Sequence, residues 1–178
     1  MPIAIRPATF NDIPVLQQLI ALSARGLSTG YYTPAQTESA IKYVFGVDTQ
    51  LLTDGTYFAV EEDGAIIACG GWSKRNTLFG GDQFKAVADP LLDPSKDAAR
   101  IRAFFVHPDK ARLGVGRMLL NACEQAALEN GFSKMEMGAT LPGVPFYAKM
   151  GYDELNKIDL PLPDGETMGI IKMGKQLK

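Results

Sequence analysis

"VHPDKARLGVGRMLL", Val106 to Leu120, sets two glycines, Gly114 and Gly116, and three strongly basic residues, Lys110, Arg112 and Arg117, between an apolar run and a helical pattern. The run before it, "ARIRAFFV", alternates as a strand, which predicts Ile101, Ala103 and Phe105 on one face and Arg102, Phe104 and Val106 on the other. His107-Pro108 ends that strand. After Gly114, Met118, Leu119, Ala122, Cys123, Ala126 and Ala127 recur at three and four residues, and Asn130-Gly131 supplies the stop. A strand that turns through glycine into a helix leaves backbone N–H groups unpaired at a positive dipole end, which is an anion site by construction. Gly114 and Gly116 carry no Cβ to hold an anion away, Arg112, Arg117 and Lys110 add charge, and a diphosphate is the natural guest.

No Lys-Ser/Thr follows the glycines, so the turn is not a P-loop, and Leu119 stands where the third glycine of a dinucleotide fingerprint belongs. A nucleotide-phosphate enzyme would also need a set of metal-binding carboxylates beside the turn, and the sequence offers no such set there.

Working outward, "IAIRPA" reads as a short strand, and Asn11 or Asp12 with Pro14 starts a helix carrying Leu16, Leu19 and Ile20. Thr33, Pro34 and Gln36 form a capping box for a second helix, which Gly46 closes. "TYFAVEEDGAIIACGGWS" reads as a β-hairpin turning at Asp63-Gly64, with Glu61, Glu62 and Asp63 a solvated turn. Lys74 to Lys96 is a long loop, and loops of that length are often functional. "KMEMGAT" is a strand, "VPFYAKM" a short helix, and "GYDEL" and "TMGIIKM" the final strands.

The chain has 178 residues with 18 Lys plus Arg against 20 Asp plus Glu, a net charge of −2, which argues against a nucleic-acid partner or an anionic membrane surface. Any basic site must be local. Cys69 and Cys123 read as buried thiols of a reducing compartment. "MPIAIRPATF" lacks the apolar stretch of a signal peptide, and no run approaches the roughly 20 apolar residues of a membrane span, so a single cytoplasmic domain over residues 1–178 is expected.

The strand "IRAFFVHP", turn "ARLGVG", helix "RMLLNACEQAA", strand "KMEMGAT" and "PFYAKMGY" resemble, in order and spacing, the central and C-terminal motifs of the GNAT N-acetyltransferase superfamily. "IRPATFNDIPVLQQLI" looks like a GNAT opening, so the resemblance covers the whole chain. It implies an α/β (α+β) fold with a central mixed, twisted and splayed sheet flanked by helices, and acetyl-CoA as cosubstrate lying where two strands part, with no metal. Phe105 and Val106 would pair with the pantetheine arm. The N–H groups of Arg112, Leu113, Gly114, Val115, Gly116 and Arg117 would hold the pyrophosphate. Tyr147 matches the tyrosine that serves many relatives as general acid. The partner implied is a small-molecule or peptide amine, and a homodimer would be ordinary for the superfamily.

Three departures qualify the match. Where many relatives carry a catalytic glutamate stands Arg100, leaving Glu136, Asp89, Glu61 or a water relay as candidate bases. Ala111 takes the motif's Gln/Arg position, and Thr140 a frequent asparagine's. His107, the one histidine, is expected to be structural. Tyr31, Tyr32, Trp72, Asn76 and Phe79 lie on segments that could line an acceptor pocket or belong to the core. Two functional classes follow: an N-acetyltransferase acting by direct attack in a ternary complex, or a non-catalytic acyl-CoA sensor of the same fold.

Overall fold

The computed structural model describes residues 2–85 and 89–178. The first expected strand is β1 (Ile3–Pro7), and Pro14 lies in the first turn of α1 (Ile13–Leu27), which Asp12 precedes. Before α2 (Pro34–Tyr43) the capping box closes as read: Gln36 N–H donates to the Thr33 hydroxyl at 3.1 Å, and Thr33 N–H to Gln36 Oε1 at 2.9 Å. A six-residue helix, α3 (Thr49–Asp54), follows where the sequence showed no element; it is too short to display a period, and only its cap, Asp48 accepting from Gln50 N–H at 3.0 Å, announces it. The hairpin is β2 (Tyr57–Glu62) and β3 (Ala65–Ser73), with Asp63 and Gly64 both at positive φ. Then come β4 (Ala99–Val106), α4 (Val115–Glu129), β5 (Lys134–Thr140), α5 (Val144–Lys149), β6 (Asp153–Pro161) and β7 (Thr167–Gln176).

The strands form one seven-stranded mixed sheet in the order β1-β2-β3-β4-β5-β7-β6, with β4 and β5 its parallel pair. On one face α4 buries Leu119, Leu120, Cys123 and Ala127 against Trp72, Ile101 and Met135. On the other, Leu16, Leu19 and Ile20 of α1 and Leu51 of α3 pack on Tyr57, Ala59 and Cys69. Both cysteines are buried free thiols, and burial pushes Cys69 up to about 12, which keeps it inert.

Strand β4 departs from simple alternation. Its register with β3 passes from Phe105↔Cys69 to Arg102↔Gly71, so one residue, Gly70, faces both Ala103 and Phe104. Ala103 takes φ 50, and the Tyr57 hydroxyl donates to its carbonyl at 2.8 Å. This bulge shifts the pattern by one residue. Ile101, Phe104 and Val106 therefore share the α4 face, whereas Ala103 and Phe105 pack with the α1 core, correcting the alternation read from sequence. Gly70 is required here because a Cβ would strike the Phe104 ring. Gly70→Ala should overpack this junction by about 1–3 kcal/mol and lower the melting temperature by several degrees. An unchanged melting temperature would show that Phe104 is not locked.

The other consequence of β4 lies on its far edge. It pairs with β5 only at Ala99↔Met135 and Arg100↔Glu136, after which β4 runs on to Val106 and β5 to Thr140 without a shared ladder. The sheet splits there into a wedge.

Candidate active site

The turn from β4 to α4 stands at the mouth of that wedge. Arg112 and Gly114 have φ 64 and 87, a left-handed pair that turns successive N–H groups outward. The first helical bond is Met118 N–H to the Gly114 carbonyl at 3.1 Å, so the N–H groups of Val115, Gly116 and Arg117 precede the ladder. Among the described residues, those of Arg112, Leu113 and Gly114 donate to no backbone carbonyl. The two glycines answer different needs. Gly114 serves the positive φ, and a Cβ on it would meet nothing within 4 Å; Gly116 lets the Phe146 ring approach, 3.3 Å from where a Cβ would be. Arg112 and Arg117 are exposed and, among the described residues, paired with no carboxylate. Lys110 is not available in the same way, because Glu62 of the hairpin holds its ammonium.

On β4, Val106 borders the wedge, whereas Phe105 is paired opposite Cys69 of β3 and packs its ring in the α1 core. His107 N–H is directed to the Ile67 carbonyl of β3, and strand alternation then turns the Val106 N–H and carbonyl toward the unpaired side. Tyr147, on α5, is 7% exposed with its ring between Phe146 (centroids 5.1 Å), Tyr152 (5.9 Å) and Phe104 (6.4 Å). Burial, and secondarily the neighbouring Cys123, raises its pKa above the ordinary phenol value, so the proton stays on. No described residue engages that hydroxyl.

Each carboxylate considered as a base is already engaged. Glu136 lies 3.0 Å from Arg100 Nη1 and 3.6 Å from Lys172 Nζ. Asp89 accepts from Thr77 N–H at 2.8 Å and faces Lys85 at 3.5 Å, while Glu61 pairs with Arg6 at the sheet edge. His107 accepts from Asp109 N–H at 3.1 Å through Nδ1, capping the turn at Pro108 as a structural residue. Thr140 is the N-cap of the 3₁₀ turn leading to α5.

Of the acceptor-side residues, Trp72 belongs to the core, edge-on to Phe132, and leaves the pocket candidates. Tyr31 and Asn76 are exposed. Phe79 packs on Gly138 of β5. Tyr32 is a clasp: its hydroxyl donates to the Gly169 carbonyl at 2.7 Å and accepts from Leu141 N–H at 2.9 Å, tying the α1–α2 loop to β7 and the end of β5. The sequence reading also missed a buried charge cluster. Asp48 binds Lys85 Nζ at 2.8 Å and Arg102 Nη2 at 3.0 Å, and Asp54 binds Arg75 at 2.8 Å. A charged residue inside an apolar strand, as Arg102 is, was its one visible signal.

The sequence profile of the acetyltransferase (GNAT) family matches residues 22–152, a span that includes β4, the glycine turn, α4, β5 and α5. The chain belongs to the GNAT family. Solved GNAT structures share its architecture nearly end to end. A GCN5-related N-acetyltransferase from Rhodopseudomonas palustris superposes with a TM-score of 0.73 at 20% identity, covering 99% of this chain and 97% of that one. PaiA N-acetyltransferase from Thermoplasma acidophilum, in complex with coenzyme A, gives 0.66 at 16% identity, covering 99% of each. A GCN5-related N-acetyltransferase from Kribbella flavida gives 0.61 at 16%, covering 98% of each. At such identities the likeness speaks for the GNAT fold alone. No curated protein sequence matches the chain. Among the described residues no helix of this GNAT protein is long and apolar enough to cross a membrane.

Proposed function

We propose that this protein is a cytoplasmic N-acetyltransferase, one domain over residues 1–178, that moves an acetyl group from acetyl-CoA to a primary amine of a small molecule or peptide by direct attack in a ternary complex. The observation that carries the reading is the wedge between β4 and β5 with a cradle of free N–H groups at its mouth. The residues suit an acyl coenzyme A: a strand edge for an amide-bearing arm, open space at Gly114 and, for a diphosphate, two arginines that pair with no carboxylate among the described residues. The thioester supplies the activated acetyl group. Val106 would hold the arm as an added strand, with Phe105 kept by its pairing to Cys69 of β3, and the N–H groups of Arg112 to Arg117 would hold the pyrophosphate.

The chemistry needs three services from the chain. Negative charge developing on the carbonyl oxygen needs a fixed donor, which the wedge-facing Val106 N–H provides. The leaving sulfur needs a proton, and Tyr147, its hydroxyl free and its proton held by burial, is the general acid. The attacking amine must lose a proton, and with Glu136, Asp89 and Glu61 all in ion pairs, that proton leaves through water. The same engaged carboxylates favour a second reading, an acyl-CoA sensor that performs no transfer.

Calorimetric titration with acetyl-CoA, coenzyme A and ATP separates these readings from a structural role for the turn. Micromolar binding of the first two and none of ATP supports the site. A panel of amines followed by thiol release then divides enzyme from sensor. Tyr147→Phe should lower kcat on the order of 100-fold with acetyl-CoA affinity unchanged. Because burial raises that hydroxyl, the wild-type rate should show no alkaline loss from its ionisation below about pH 10. An undiminished kcat in the variant would end the proton-donor role.

A further inference from the structure

Helix α5 has six residues, too short to stand by itself, so whatever fixes its ends also fixes Tyr147. Its C-terminal turn is closed twice: Gly151 N–H donates to the Ala148 carbonyl at 3.1 Å, and Tyr152 N–H to the Tyr147 carbonyl at 3.0 Å. Gly151 takes φ 94, the left-handed conformation this closure requires. In such a turn the residue after the glycine packs back on the residue whose carbonyl it binds, and here the Tyr152 ring meets the Tyr147 ring edge-on at 5.9 Å. Where Tyr152 goes, Tyr147 follows.

Tyr152 is tied in turn to two other elements. Its hydroxyl donates to Glu124 Oε2 on α4 at 2.7 Å, and Lys175 Nζ of β7 donates to the two oxygens of that carboxylate at 3.0 and 3.1 Å. The same ammonium lies 5.4 Å from the centroid of the Tyr152 ring. Burial first, and the bond to Glu124 second, raise the Tyr152 hydroxyl above the ordinary phenol range, so it remains a donor throughout the pH range of an assay. This anchor matters because a general acid must hold its oxygen within reach of the leaving group, and a misplacement of about 1 Å can cost on the order of 100-fold. No described residue engages the Tyr147 hydroxyl, so the walls around its ring must aim it. Of those walls, Phe104 and Phe146 are held by packing alone, which fixes distance better than direction. Tyr152 ends in a directional, charge-assisted bond.

We propose that Glu124 is a positioning residue for the general acid. It pins the Tyr152 hydroxyl to α4, and Tyr152, through the closed turn and the ring contact, sets the angle at which Tyr147 presents its own hydroxyl to the wedge. Lys175 keeps the carboxylate turned toward Tyr152 and balances its charge, so that no unpaired anion stands behind the donor. The inference rests on the reading of Tyr147 as proton donor of an N-acetyltransferase and adds the residues that aim it.

Thiol release from acetyl-CoA tests it, with the amine of the panel that the wild-type protein turns over fastest. Glu124→Ala should lower kcat about 10-fold while acetyl-CoA affinity in calorimetry is unchanged. Glu124→Gln, whose amide oxygen still accepts from Tyr152, should stay within about threefold of the wild type. Where the alanine variant fails to fold, Tyr152→Phe keeps the ring and the Glu124–Lys175 pair, removes only the anchor, and should show the same loss of kcat. A mere brace for the fold would lower kcat by the same factor whether or not Tyr147 carries its hydroxyl. Aim matters only where there is a hydroxyl to aim, so in the Tyr147→Phe background neither Glu124→Ala nor Tyr152→Phe should change kcat by more than about twofold. Equal losses in the two backgrounds overturn the inference and leave Glu124 a structural residue. So does a wild-type kcat in folded Glu124→Ala or Tyr152→Phe, or a Glu124→Gln rate as low as that of the alanine variant; the donor reading then stands on the loss in Tyr147→Phe alone. An undiminished kcat in Tyr147→Phe, or bound acetyl-CoA with no turnover of any amine, overturns the donor reading itself, and the inference falls with it.

Discussion

Gly114→Asp is expected to abolish acetyl-CoA binding in calorimetry while the fold survives. The residue has φ 87, where a side chain costs about 1–2 kcal/mol, but its Cβ position is open and aspartate tolerates this conformation better than most. The new carboxylate would point into the cradle of N–H groups and occupy the charge site itself. At about 4 Å from one phosphate charge, with an effective dielectric near 20, repulsion amounts to about 4 kcal/mol, on the order of 1000-fold in affinity. Gly114→Ala carries the same backbone strain without the charge and should lose far less. Equal losses in the two variants would mean that backbone distortion, not electrostatics, governs the turn, and unchanged affinity in Gly114→Asp would remove the turn from the site.

Asp48→Ala should be the most destabilising single change on the opposite face. Asp48 is 1% exposed, neutralises Lys85 and Arg102 at once and caps α3 through Gln50 N–H. Truncation leaves two cations facing each other beneath the loop, with a helix start uncapped. Breaking a buried pair in this way costs about 3–5 kcal/mol, with about 1 more for the cap. At about 2–4 °C per kcal/mol for a domain of this size, the melting temperature should fall on the order of 10 °C. Asp48→Asn retains the cap and should fall less. A loss under about 3 °C for the alanine variant would show that solvent or a shifted loop neutralises the cations easily.

What the sequence disclosed and what it withheld divide along a physical line. Period-two alternation and capping chemistry are local, so β5, the Thr33–Gln36 box and the Asp63-Gly64 turn were legible, as was the turn at Gly114. The bulge at Ala103 was not, because its cause lies on another strand, in Gly70 and the Tyr57 hydroxyl. The same holds for the clasp made by Tyr32, whose partners, Gly169 and Leu141, are remote in the chain. Trp72 illustrates the limit from the other direction: an aromatic beside a glycine pair suits a pocket or a core, and only the packing of Phe132 decides. Candidate bases were readable as residue types, yet whether a carboxylate is free depends on which cation folds onto it. Arg6, Lys85 and Arg100 arrive from separate elements.

The division of the sheet beyond Arg100 has a consequence for solubility. Unpaired strand edges ordinarily recruit other chains and seed aggregates. Here the two bare edges face each other from a closed floor at Arg100 and Glu136, so an invading protein strand, with side chains on both faces, would have to enter end-on. A slender molecule without side branches meets no such obstacle. Geometry thus acts as a sieve, letting the protein keep open hydrogen-bonding groups in its middle without the aggregation hazard that an outer edge would bring.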